Sequence, residues 1–305
     1  MFKVIDVSGC PGGTSCLVIT KESAFLCDTG FSFSARDTAE NVRRALANAA
    51  AGGASGEVPD GARRLDYILL THSHFDHAAG TPIVARAFPE AKIVASHHAA
   101  EIFARPGARR GIYEMDVAAA RNVGRDAGED TTSELRVDME VGSGDVIQAP
   151  GETIRVYDTP GHTNCSVSYY FENEDLLVTS ESSGFKFDDL LCPAFLTSYR
   201  DSLESIALVE RLAPRYLLPP HAGLISGDEA KAYPAAIRGE SEAKADFILS
   251  RHRAGMSEED IVRDLIAEYF DGLIRDTGLQ PRESFETNAR ILVPRLIAEA
   301  QTPTP

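Results

Sequence analysis

Apolar and polar positions divide the chain into two parts. Up to about residue 225, short runs rich in Val, Ile, Leu and Phe alternate with stretches of helical period. Strands are predicted at 3–7, 15–20, 24–27, 65–70, 93–95, 145–148, 153–158, 165–171, 176–179 and 215–218. Helices are predicted at 35–50, 81–88 and 200–212; Pro82 stands early in the second, where its missing N–H costs little. Pro219-Pro220 ends the last strand. The Ala/Gly-rich stretch 45–56, leading to Pro59, reads as a helix end followed by an exposed loop. Residues 97–134 are helical and polar with several glycine breaks, and read as an excursion from the core. That segment, taken to 140, is either a lid over a site or a solvated insert.

After His221 the pattern changes. Ile261, Leu265 and Tyr269 recur at helical spacing, as do Leu292, Leu296 and Ile297, and Ser257 with Asp260 resembles a helix start. The expected organisation is an α/β body over 1–225 and a helical C-terminal extension over 226–305.

Composition narrows the function. The 305 residues carry a formal net charge of -16, which disfavours nucleic acid and anionic lipid as partners. The N-terminus lacks the charged and apolar regions of a secretory signal, and no run of 18 apolar residues exists. The five cysteines include no CxxC pair and read as reduced, mostly buried thiols. Together these features point to a cytoplasmic protein with a small-molecule substrate, no nucleic-acid or membrane partner, and a homodimer as a possible assembly.

The chemistry concentrates after the strand at 65–70. Thr71-His72-Ser73-His74-Phe75-Asp76-His77 places three imidazoles and a carboxylate within six residues. Loops at strand ends are where α/β proteins place their sites. Imidazole and carboxylate suit zinc or iron. His72 and His74, two residues apart, project the same way from extended backbone, while Asp76 and His77 follow a turn and can face a second metal. Further on, His162 in Asp158-Thr-Pro-Gly-His162 and His221 in Leu218-Pro-Pro-His221 each follow a strand. His97, His98 and His252 read as surface residues, and Cys165 as a core residue.

This set resembles the metallo-β-lactamase superfamily. The HxHxDH motif, the later Pro-Gly-His and the final Pro-Pro-His fall in the family's order over about residues 3–225, and Asp28-Thr29-Gly30 is similar to its early Asp-Thr-Gly turn. The resemblance implies an αββα sandwich with two divalent metal ions, zinc first, with iron and manganese also suited to the donors. Carried over by position, His72, His74 and His162 hold one ion, and Asp76, His77 and His221 the other. Asp28 is either an outer hydrogen-bonding partner of the metal loop or a turn former.

One position departs from the family. Glu181 stands where its metal-bridging Asp is expected, on a stem one methylene longer. It could bridge the ions, bind one only, or point away. The activity implied is hydrolysis by a metal-bound hydroxide, with Asp76 orienting the nucleophile and serving the leaving group. The helical extension is similar in placement to that of hydroxyacylglutathione hydrolases and PqsE-like thioesterases. A small acyl ester or thioester is therefore the expected substrate, with a lactone as a variant. The alternatives are a mononuclear iron oxidoreductase of the persulfide-dioxygenase kind, and a binding or regulatory protein with a weakened site.

Overall fold

The computed structural model describes residues 2–50, 64–187, 189–275 and 281–302. The first half contributes β1 (Lys3–Asp6), β2 (Cys16–Ile19), β3 (Ala24–Cys27), α1 (Ala35–Ala50), β4 (Tyr67–Leu69), α2 (Phe75–Ala78), α3 (Thr81–Ala87), β5 (Lys92–Ser96), α4 (His97–Ala104), α5 (Pro106–Asn122) and β6 (Met139–Val141). Its strands form one sheet in the order β1-β2-β3-β4-β5-β6. The first three are antiparallel, and β3 through β6 run parallel. Most of the Ala/Gly-rich loop read from the sequence lies outside the described residues.

The second half contributes β7 (Val146–Ala149), β8 (Glu152–Asp158), β9 (Val167–Phe171), β10 (Leu176–Val178), the hairpin β11 (Phe185–Phe187) and β12 (Leu190–Cys192), α6 (Tyr199–Leu212), β13 (Tyr216–Leu218) and β14 (Ile225–Ser226). The second sheet runs β14-β13-β10-β9-β8-β7. Because β8 and β10 are each antiparallel to β9, and β13 is parallel to β10, strands β8, β10 and β13 all end at the same edge.

Side chains sort by the two-residue period. Leu17, Leu26 and Ile68 point outward and pack with Val42, Leu46, Val84 and Phe103 of the helices. Their neighbours Val18, Phe25 and Leu69 point inward and meet Ile154, Val156, Tyr169 and Phe171 of the other sheet. Strands apolar on both faces are what a sheet covered on both sides requires. On the far side, Leu177 and Leu217 pack beneath Ile206 and Val209 of α6. The result is the αββα sandwich. A fourth group of side chains belongs to the C-terminal helices α7 (Gly227–Arg253), α8 (Glu258–Leu265), a π-helical run over Ile266–Ile274, and α9 (Arg282–Gln301). Ser257 caps α8 by accepting the Asp260 N–H at 3.2 Å. Among the described residues no helix is long and apolar enough to cross a membrane.

Two expectations are corrected. Residues 97–122 are no excursion: Ala99, Phe103 and Ile112 lie in the core over the first sheet, and Ser96 caps α4 by accepting the Ala99 N–H. Strands also form at β6, β11 and β12, where the sequence pattern predicts none. Each is three residues long, too short to display a period.

Candidate metal centre

Four loops converge at one end of the sandwich. The loop after β4 carries His72 and leads into α2, whose first turn presents Asp76 and His77. His162 follows β8, Glu181 follows β10 and His221 follows β13. The shared direction of these three strands brings their loops to the edge where β4 also ends. Gly161 is required for the close approach of its loop to α6. It has φ +132°, and a Cβ there would stand 2.6 Å from the backbone of Ser202. His221 itself has φ +61°, an uncommon conformation for a non-glycine residue, forced just after Pro219-Pro220.

The side chains form two groups that share one residue. His72, His74, His162 and Glu181 offer donor atoms all within 4.8 Å of one another, and so do Asp76, His77, Glu181 and His221. Glu181 stands between them: Oε2 is 2.8 Å from Nε2 of His162, and Oε1 is 2.9 Å from Nε2 of His221. Every ligand expected from the sequence, including Asp76 and Glu181, is therefore in one cluster. His97 and His98 are exposed and outside it, and Cys165 is buried in the core.

Outer partners fix the ring orientations. A carboxylate only accepts hydrogen bonds, so Nδ1 of His77 is the donor to Asp28 at 2.7 Å. Asp28 also accepts the Thr71 N–H and hydroxyl, each at 2.8 Å. It is thus both the hydrogen-bonding partner of the 71–77 loop and a left-handed turn residue, with φ +59°. Nδ1 of His162 donates to the Ala194 carbonyl at 2.7 Å. Nδ1 of His72 lies 3.1 Å from the Thr71 hydroxyl, and Nδ1 of His221 lies 3.0 Å from that of Thr14.

The opposite nitrogens face inward. Among the described residues, Nε2 of His72 and Nε2 of His77 are buried without a hydrogen-bond partner. The latter has carboxylate oxygens only at 3.5 and 3.7 Å, from Glu181 and Asp76. Nδ1 of His74 and Nε2 of His162 stand 2.9 Å apart. Orphaned buried nitrogens are costly unless something accepts their lone pairs. Burial, with His77 and His74 beside it, holds His72 well below the usual imidazole range. Burial and His162 push His74 down to about 3. Both rings are therefore neutral and have lone pairs to give. Burial disfavours the ionised Glu181, but His162, His221 and His77 outweigh it and hold the carboxyl well below its usual range. Burial likewise opposes a charged His77, and the Asp28 and Asp76 carboxylates overturn that. Burial raises Asp76. The neutral His72 and His74, the carboxylates and the fixed outer partners fit divalent metal ions.

Two residues around the cluster have no signal in the sequence. Thr14 approaches from the loop before β2, and the Phe185 ring lies 5.2 Å from that of His221. Thr14 is remote in sequence from His221, and Phe185, four residues after Glu181, is brought beside His221 by tertiary folding.

Known proteins are similar to this chain. The family model of the metallo-beta-lactamase superfamily matches residues 10–221. The hydroxyacylglutathione hydrolase of Methylobacterium nodulans is 34% identical over 119 residues, covering 39% of this chain and 34% of that protein. The metallo-beta-lactamase fold-containing protein ST1585 of Sulfurisphaera tokodaii is 25% identical over 169 residues, covering 53% of this chain and 62% of that protein. The matches thus span about a third of the first relative and less than two thirds of the second. The solved metallo-beta-lactamase family protein TTHA1429 from Thermus thermophilus shares the fold with a TM-score of 0.61 at 18% identity, covering 97% of this chain and 94% of that one. With the family match spanning most of the sandwich and all of the clustered residues, the chain belongs to the metallo-beta-lactamase superfamily.

Proposed function

We propose that the chain is a binuclear metallohydrolase acting on a small acyl ester or thioester. The observation that carries this reading is the position of Glu181, with one carboxylate oxygen directed to each histidine group. His72, His74 and His162 would hold one divalent cation, Asp76, His77 and His221 the other, and Glu181 would reach both. The donors suit zinc first, and accept iron or manganese. Bound there, the cations would supply Lewis acidity toward an electrophilic carbonyl and lower the pKa of water.

The chain's own groups supply the rest. Asp76 is the most open member of its group, with 21% of its side chain accessible, and burial raises its affinity for a proton. Its carboxylate is suited to take a proton from the attacking water and return it to the leaving group. The Phe185 ring beside His221 walls the site with an apolar surface against which an acyl chain would pack. Likeness to a hydroxyacylglutathione hydrolase supports the thioester.

A single-iron oxidoreductase needs only one set of donors, and the second set argues against it. A weakened site would have Glu181 turned away, and its geometry argues the reverse. The test is reconstitution with zinc, iron and manganese separately, followed by assays on ester, thioester and lactone panels. Two ions per chain and thiol release from a thioester are expected, with both lost in His74→Ala. One iron per chain with oxygen uptake on a persulfide would overturn the reading.

A further inference from the structure

Residues 193–200 tie the cluster to the C-terminal helices. The Ala194 carbonyl accepts the Nδ1–H of His162 at 2.7 Å. The Gly161 carbonyl, one residue before His162, accepts the N–H groups of Leu196, Thr197 and Ser198 at 3.0, 2.9 and 3.2 Å. Next to Ala194, the Pro193 carbonyl accepts a hydrogen bond from Nζ of Lys244 on α7 at 3.2 Å. That ammonium lies 5.8, 5.5 and 5.9 Å from the ring centres of Phe195, Tyr269 and Phe285. At the far end, Glu299 of α9 accepts the N–H groups of Tyr199 and Arg200 at 2.9 and 2.6 Å. Its carboxylate also accepts the Ser198 hydroxyl at 3.4 Å.

We propose that residues 193–200 are a strap through which the C-terminal helices hold His162, with Lys244 and Glu299 as positioning residues at its two anchors. The inference rests on the reading of His162 as a metal ligand. Lys244 and His162 bond to consecutive carbonyls, so a shift at Pro193 turns the acceptor that sets the His162 ring. A cation among three aromatic rings makes a stronger hydrogen bond to a carbonyl than a neutral or solvated donor does. Burial of this amine is unfavourable, and lowers its pKa to about 8. An apolar side chain would fill the same space without that cost, so packing alone does not account for a lysine here. Outer partners of metal-bound histidines typically change metal affinity by about 10–100-fold.

The test uses the full chain and zinc alone, with both affinities read by competition against a chromophoric chelator. K244M removes the donor and keeps the stem; E299Q loosens the other anchor at a partly exposed carboxylate, and stays informative should K244M fail to fold. Ile261→Val, in the packed interior of the same helices, is the stability control. The expected result is one zinc weakened by about tenfold or more in K244M, the other within about twofold, and the same ion weakened in E299Q. Ile261→Val is expected to lower Tm and leave both affinities unchanged. Wild-type affinities for both ions in K244M and E299Q would overturn the strap while leaving the metal reading intact. Equal weakening of both ions in all three variants would also overturn it, as general loosening. A wild-type chain that takes up no zinc would overturn both.

Discussion

The Asp28 carboxylate accepts the Nδ1–H of His77 at 2.7 Å, with both side chains almost wholly shut off from water. The same carboxylate accepts two hydrogen bonds from Thr71, the residue before His72. One side chain thereby orients a ring in each of the two histidine groups. Asp28→Asn keeps a residue tolerant of the left-handed backbone, but places an amide where three donors converge. Metal affinity should fall by about 10–100-fold, with a modest loss of stability. Asp28→Ala strands all three donors and should cost about 3–5 kcal/mol, read from urea unfolding of the metal-free protein. Unchanged zinc affinity in Asp28→Asn would remove Asp28 from the site.

Glu181 reaches Nε2 of His162 and Nε2 of His221 with its two oxygens. A carboxylate one methylene shorter would retract by roughly one C–C bond, about 1.5 Å. Glu181→Asp should therefore keep contact with one group and lose the other. The expected outcome is one tightly held zinc instead of two, counted by elemental mass spectrometry after dialysis. Two tightly held ions would mean that the loop follows the shorter side chain inward.

The site is legible in the sequence because its ligands sit in local motifs. His72 to His77 fall within one short stretch of chain, and His162 and His221 each follow a strand close to proline. Asp28 is visible there, but its role is not: turn former and outer partner look alike until Thr71 and His77 are seen around it. The direction of the Glu181 side chain depends on where three imidazoles stand, which no local pattern encodes. Thr14, Phe185 and Lys244 enter through packing alone. In the fold, the long amphipathic helices and the runs apolar on both faces are readable. The helices α4 and α5 read as an excursion because their exposed face is polar, and the sparse buried set of Ala99, Phe103, Ile112 and Ala119 does not stand out.

Gly184 joins the Glu181 turn to the extension. It has φ +74°, and a Cβ there would stand 2.1 Å from Cγ1 of Ile237 on α7. Gly184→Ala should lose about 2–4 kcal/mol, combining left-handed strain with overpacking. In an Ile237→Ala background the overpacking is relieved and only the strain remains. A double-mutant cycle should give a favourable coupling of about 1 kcal/mol or more. Strict additivity would mean that α7 does not press on this turn.

Lys244 predicts an alkaline gain in stability. Burial lowers its amine from an ordinary 10.5 to about 8, with Cys192 opposing. Below pH 8 the group is protonated in both states, and the full desolvation penalty stands. Between pH 8 and 10.5 the unfolded chain holds the proton and the native chain does not. Stability therefore rises with pH across that window. The gain is at most about 3 kcal/mol, and less because the side chain keeps some contact with water. Buried tyrosines such as Tyr169, held well above their usual range, pull the other way at the top of the window. The measurement is consequently a difference: urea unfolding of wild type and Lys244→Met at a series of pH values from 7 to 10.5. The wild type should gain on the variant as pH rises. Parallel curves would mean that the ammonium of Lys244 stays solvated, and that the rings around it do not desolvate the charge.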